Sequence, residues 1–198
     1  MENAKIGPNS IIQTVEALKE TYGLSEAQAV LQRGGLPDLI DQLPSEMIPE
    51  RDFLHLVSVL LAEIGEDATA AILQQSGQRT AQYLLTHRIP GVFQRLVSLL
   101  PRTFGLKLFL WAISKNAWTF VGSGMFRFRV GTDTAIAIFN QPTAQHQVPP
   151  QVCSFYRGTF AHLFQTLIGP QLDVIPTTDT DLSDGQEHTS VRCAYRVQ

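Results

Sequence analysis

The chain has only two cysteines, Cys153 and Cys193, among 198 residues, too few for a disulfide framework. They are expected to be reduced, each serving as a small buried hydrophobe. Charge is also sparse, at 17% of residues with a net charge of −3. No cluster of Lys and Arg stands out, which disfavours nucleic acid as a partner, because phosphate binding needs a basic footprint. The longest apolar run, residues 108–113, falls far short of the roughly 18 to 20 needed to span a bilayer. The opening MENAKIGPNS has neither the basic nor the apolar region of a signal peptide. A cytoplasmic protein with no transmembrane segment is the simplest expectation.

Motifs for catalysis are missing as well. The only close glycine pair in a candidate cofactor context, GSG at residues 122–124, stands beside a strand pattern and opens no helix. It is therefore not a dinucleotide fingerprint, and a bend admitting another backbone or a ligand is the better reading. There is no G-x-S-x-G. None of the five histidines, His55, His87, His146, His162 and His188, belongs to a close metal-ligand pattern. His55 and His162 fall on amphipathic helices as structural or surface residues. His87, beside Arg88 at a helix end, is the best functional candidate, although a helix-terminal histidine also caps free carbonyls.

What the chain does have is helical period in its first half and strand period in its second. Asn9 and Ser10 are expected to cap a helix over 11–22 that Gly23 ends, and Ser25 with Gln28 reads as a capping box for the next. Pro37, Pro44 and Pro49 mark a connector. Phe53, Val57, Leu60 and Ile64 then recur at helical spacing up to Gly65, and a further helix runs to the residues before Pro90. Two more helices are expected over 92–100 and 103–116, the second apolar nearly all round and so expected to be central. Phe126, Phe128 and Val130 alternate with Arg127 and Arg129 as in a half-buried strand, and a second strand covers 134–139. A helix over 152–168 and strands over 171–176 and 190–197 follow. The expected fold class is α+β, a helical N-terminal half packed on a four-stranded antiparallel sheet in ββαββ order. A helical segment over 1–49 precedes a ligand-binding domain over 50–198, the two folding as one unit.

Four pieces of the sequence, GQRTAQYLLTHRIP, ISKNAWTFVGSGMF, VCSFYRGTFAHLFQTLI and VRCAYRV, resemble the bacteriochlorophyll 4-vinyl reductase family, from about Gly77 to the C-terminus. The resemblance implies a small-molecule-binding domain related in form to haem nitric-oxide sensors. It implies a chlorophyll-precursor tetrapyrrole, a magnesium tetrapyrrole above all, as ligand, and enzymes of (bacterio)chlorophyll synthesis as partners. Because no site for NADPH, flavin or an iron–sulfur cluster is visible, it points to a carrier or assisting factor before a reductase. A vinyl reductase using an external donor or partner, and a sensor or interaction module, remain as alternatives. A place at the edge of photosynthetic membranes and a homodimer are left open.

For the ligand, Trp111, Trp118, Phe120, Phe126, Tyr156 and Phe160 offer faces on which a macrocycle can stack, with core packing as the competing role of each. His87 is expected to ligate magnesium or to hydrogen-bond a ring substituent, and Arg88, Arg127 or Arg129 to pair with a propionate. Sensor members of the family hold zinc on a Cys-Glu-Cys-Cys set. Cys153 and Cys193 match its first and last positions, while Thr178 and Asp181 fall where the acid and the middle cysteine belong. Asp179, Asp181 or His188 would have to substitute, and closed zinc sites favour sulfur and nitrogen. No bound zinc is expected.

Overall fold

A pair of glycines sets the centre of the molecule. The computed structural model describes residues 4–132, 134–140, 148–178, 182 and 191–198. In it the long helix α4 (Glu66–His87) crosses α7 (Val152–Leu167) where each has a glycine. A Cβ on Gly77 would stand 2.1 Å from the carbonyl oxygen of Phe155, and one on Gly158 would stand 2.1 Å from that of Gln74. The two backbones therefore touch directly, at a distance no side chain permits. The other buried positions of α4 mix small or polar residues, Thr69, Ser76, Thr80 and Ala81, with Ile72, Leu73 and Leu85, because the helix is enclosed on more than one side.

Its second flank is α1 (Asn9–Tyr22). The buried hydroxyls of Thr14 and Ser76 are hydrogen-bonded at 2.8 Å, and Arg79 of α4 reaches Gln13 and Glu20 of α1. The N-terminal segment is thus packed into the same core as the rest, with Ile11, Val15 and Leu18 continuous with Phe155 and Phe164. A two-stranded ribbon, β1 (Lys5–Ile6) with β2 (Ile48–Pro49), joins the chain start to the entry of α3 (Glu50–Ile64). α2 (Leu24–Arg33), α5 (Gly91–Leu99) and α6 (Arg102–Lys115) complete the helices.

The sheet contains β3 (Met125–Arg129), β4 (Thr134–Asn140), β5 (Val174–Pro176) and β6 (Val191–Val197), all antiparallel, in spatial order β3-β4-β6-β5. Register places Phe126 opposite Ile138 and Phe128 opposite Ile136, and those residues opposite Cys193 and Tyr195. Alternation then puts all six on one face, which packs against α7. The ββαββ order and the α+β class expected from the sequence are those observed.

Three local expectations are corrected. α6 is not the central helix: it buries Gly105, Leu106, Phe109 and Leu110 but leaves Phe104 and Trp111 exposed, so its all-round apolar character marks a surface, and α4 with α7 takes the centre. None of the expected side-chain caps forms: α1 starts at Asn9 directly after Pro8 and α2 at Leu24 directly after Gly23, so Asn9, Ser10 and Ser25 lie inside their helices. Most decisively, Cys153 and Cys193 are joined to each other in a disulfide with Cα atoms 5.2 Å apart. Adjacent placement of α7 and β6 brings into bonding reach two sulfurs that lie 40 residues apart in sequence.

Candidate functional site

Tyr156 and Phe160 lie one helical turn apart on α7, and Phe126 and Phe128 lie two apart on β3, so each pair shares a face. Phe120, in the turn after α6, closes the set. Its ring centroid is 5.8 Å from Phe126, 6.3 Å from Tyr156 and 6.4 Å from Phe160. Phe126 is 5.9 Å from Phe160 and 6.0 Å from Phe128. Tyr156 and Phe160 are buried, whereas Phe120, Phe126 and Phe128 are half-buried along the edge strand. The cluster runs inward through Phe164 to Phe109. The Tyr156 hydroxyl donates to the Phe120 carbonyl at 3.1 Å, and that of Tyr195 donates to the Cys153 carbonyl at 2.6 Å.

Beside this seam, the GSG turn encloses a carboxylate. Gly122 has φ +57° and a Cβ there would stand 2.5 Å from Glu50 Cδ. The Glu50 carboxylate accepts from the Ser123 amide at 3.0 Å and from its hydroxyl at 2.9 Å. The bend expected at residues 122–124 is therefore real, and what approaches it is a side chain. Burial first, and the nearby Glu50 charge second, push the Tyr156 phenol well above its ordinary range. Burial does the same to Tyr195.

Glu50 opens α3, and the next turn of that helix walls a groove of about 750 Å³ facing the chain that leads into α7. Arg51 and His55, four residues apart on one face, line it with Asp52 and Glu66 beside half-buried Leu61. The volume falls within the usual range for small-molecule sites. An imidazole supplies a metal ligand or hydrogen-bond partner, and a guanidinium supplies a bidentate match to a carboxylate. The lining is mixed, with Arg51, Asp52, His55, Ser58, Glu66 and Gln151 polar and Leu54, Leu61, Val148, Pro149 and Pro150 apolar.

Of the residues singled out in the sequence, Phe120, Phe126, Tyr156 and Phe160 are brought together. Trp111 and Trp118 are exposed outside the cluster. His87 and Arg88 are exposed at the C-terminal end of α4. There the His87 ring stacks on Tyr83 at 4.7 Å with Nδ1 3.2 Å from the Tyr83 carbonyl, and Arg88 sits 5.9 Å over the same ring. Arg127, on the sheet face away from α7, stands over Phe139. Bonded to each other, Cys153 and Cys193 present no thiolate, so this pair does not fit zinc; Asp179, Asp181 and His188 lie outside the described residues. Among the described residues no group of three or more His, Cys, Asp and Glu is placed to hold a metal ion. Glu50, Arg51 and Asp52 carry no functional motif in the sequence, and His55 reads there as a structural or surface residue. The signal available was the polar row Arg51, Asp52, His55 on an otherwise strongly apolar helix.

No family model matches the chain. Solved structures do, and they define its class. An H-NOX structure concerned with the mechanism of H-NOX activation superposes with a TM-score of 0.54 at 11% identity, covering 94% of this chain and 92% of that one. An oxygen-binding H-NOX domain related to soluble guanylate cyclases gives 0.51 at 10% identity, covering 93% and 89%. The fold is that of the H-NOX domains, an α+β architecture.

Sequence relatives narrow this. The bacteriochlorophyll synthase 23 kDa chain of Rhodobacter capsulatus is 33% identical over 184 residues, 93% of this chain and 85% of the relative. That of Cereibacter sphaeroides is 33% identical over 174 residues, 87% and 83% respectively. The chain belongs to the family of the bacteriochlorophyll synthase 23 kDa chain, the 4-vinyl-reductase-like family its motifs resemble.

Proposed function

We propose that the protein binds a chlorophyll-precursor tetrapyrrole and assists the enzymes of bacteriochlorophyll synthesis, holding a poorly soluble pigment between them at the edge of the photosynthetic membrane. The observation that carries this reading is the family relationship, 33% identity along 93% of the chain to a bacteriochlorophyll synthase component. The groove on α3 supports it with a matching set of groups. His55 offers nitrogen to a central magnesium, Arg51 offers a fork to a propionate, and Leu61 offers apolar contact to the ring edge. The aromatic seam behind α3, with Glu50 fastened by Ser123, keeps that helix in place.

The test is a titration of the purified chain with magnesium divinyl tetrapyrroles, followed by absorbance, with and without NADPH. Saturable binding with an unchanged vinyl absorption is expected. His55→Ala should weaken it by about tenfold, the scale of one lost polar contact, while His87→Ala should leave it unchanged. Equal losses from both variants would remove the groove as the site. Loss of the vinyl absorption on adding NADPH would make the protein a reductase, and no binding would end the reading.

A further inference from the structure

We propose that the α5–α6 hairpin is a docking surface for an anionic lipid bilayer. The first observation is charge segregation. Residues 68–132 contain no Asp or Glu at all and eight of the fifteen Lys and Arg residues. This stretch carries +8 and the remainder −11, together the chain's −3. The basic residues form no run in the sequence, being spaced five to eight residues apart at Arg88, Arg95, Arg102, Lys107 and Lys115. All five are exposed, and among the described residues none of Arg95, Arg102, Lys107 and Lys115 forms an ion pair.

The second observation is the apolar surface these cations surround. α5 turns Val92, Leu96 and Leu99 outward at i, i+4 and i+7, with Val92 81% and Leu99 84% exposed. Only Val97 of that helix is fully buried. α6 adds Phe104 and Trp111, and the turn behind it adds Trp118, with Phe104 and Trp118 both 64% exposed. Proximity of the two helices is enforced where Gly105 approaches the Val97 carbonyl. Water therefore meets a second apolar row, apart from the inward one of Val97, Leu106, Phe109 and Leu110.

Charge and shape select the occupant. Nucleic acid would use the cations but leave Val92, Leu96 and Leu99 in water. A second copy of the same face would set cations against cations, which is repulsive. An anionic bilayer satisfies both features. Its headgroups pair with Lys and Arg, its interface takes the amphipathic rings of Trp111 and Trp118, and its acyl boundary takes the aliphatic row. No described helix is long and apolar enough to cross a membrane, so the contact lies in the interface plane.

This gives the membrane-edge location proposed above a surface and rests on that part of the reading. It does not depend on pigment affinity, which is measured separately, so the two can fail independently. The experiment is flotation of the purified chain with phosphatidylcholine vesicles, pure or with about one third phosphatidylglycerol. Binding is expected to the anionic vesicles only and to fall as salt rises. The pair Val92→Ser with Leu99→Ser, and separately Arg95→Gln with Lys107→Gln, should each reduce it by roughly tenfold or more, with melting temperature and pigment affinity retained. No binding to anionic vesicles overturns the proposal, as does equal binding by the variants. So does a fall in oligomeric mass on substituting Val92 and Leu99, which would assign the face to self-association. Attachment to native membranes that protease treatment abolishes, without vesicle binding, would assign it to a protein partner and also overturn the proposal.

Discussion

Gly77 and Gly158 meet across the α4–α7 crossing, each lying against a carbonyl of the other helix. Neither position has room for a methyl group, and the obstructing atoms are backbone, which cannot rotate away. Gly77→Ala and Gly158→Ala are each expected to lower stability by about 3 kcal/mol through overpacking. Urea unfolding followed by far-UV circular dichroism measures this. An alanine variant within about 0.5 kcal/mol of the parent would show that the helices separate without cost.

The disulfide between Cys153 and Cys193 closes a 40-residue loop that holds β5 and the turn after α7. Reduction, or Cys193→Ser, is expected to cost about 2–4 kcal/mol, mainly by freeing the unfolded chain. Comparing denaturation midpoints with and without reductant checks the value, and identical midpoints would refute it.

Ser123 presents two donors to one Glu50 oxygen. Ser123→Ala removes the hydroxyl and should cost about 1–2 kcal/mol, the range for hydrogen bonds to a charged group. Glu50→Ala should cost more, since both donors lose their acceptor and the first turn of α3 loses its anchor to the strand side. Thermal melts of the two variants, ranked in that order, are the readout.

Stability at high pH should be limited by Tyr156 and Tyr195. In the unfolded chain a tyrosine ionises near pH 10, whereas burial keeps both phenols protonated to higher pH in the fold. The unfolded state then releases more protons, so the contribution is intact below about pH 10 and is lost as pH rises through the folded values. The double variant Tyr156→Phe, Tyr195→Phe should flatten the decline in unfolding free energy above about pH 10. An unchanged decline would place its origin elsewhere.

Much of this architecture was legible one residue at a time. The spacing of Phe53, Val57, Leu60 and Ile64 marked α3, and the alternation of Phe126 and Phe128 with arginines marked the edge strand. β1 and β2 were not legible, because two-residue strands carry no period. α6 misled because apolar residues all round a helix signal burial only if something covers each side, and nothing described covers Phe104 or Trp111. Four of the aromatic candidates converged because helix and strand periods aim them at one interface. Glu50 stayed hidden, since an acidic residue at a helix start reads as a partner for the helix dipole until the strand-side turn is seen around it. The disulfide required a distance in space between α7 and β6, which periodicity does not encode.

The contact of Gly77 with Gly158 also bears on how such a chain can diverge. A crossing made of backbone has no side chain to trim or enlarge, so its interior volume cannot be retuned by single substitutions. The outward row of α3 is free of that restriction, because exchanging Arg51 or His55 alters the groove and leaves the crossing untouched. Sequence drift should therefore be tolerated on the outward row of α3, while the two glycines stay as the fixed axle around which the rest is varied.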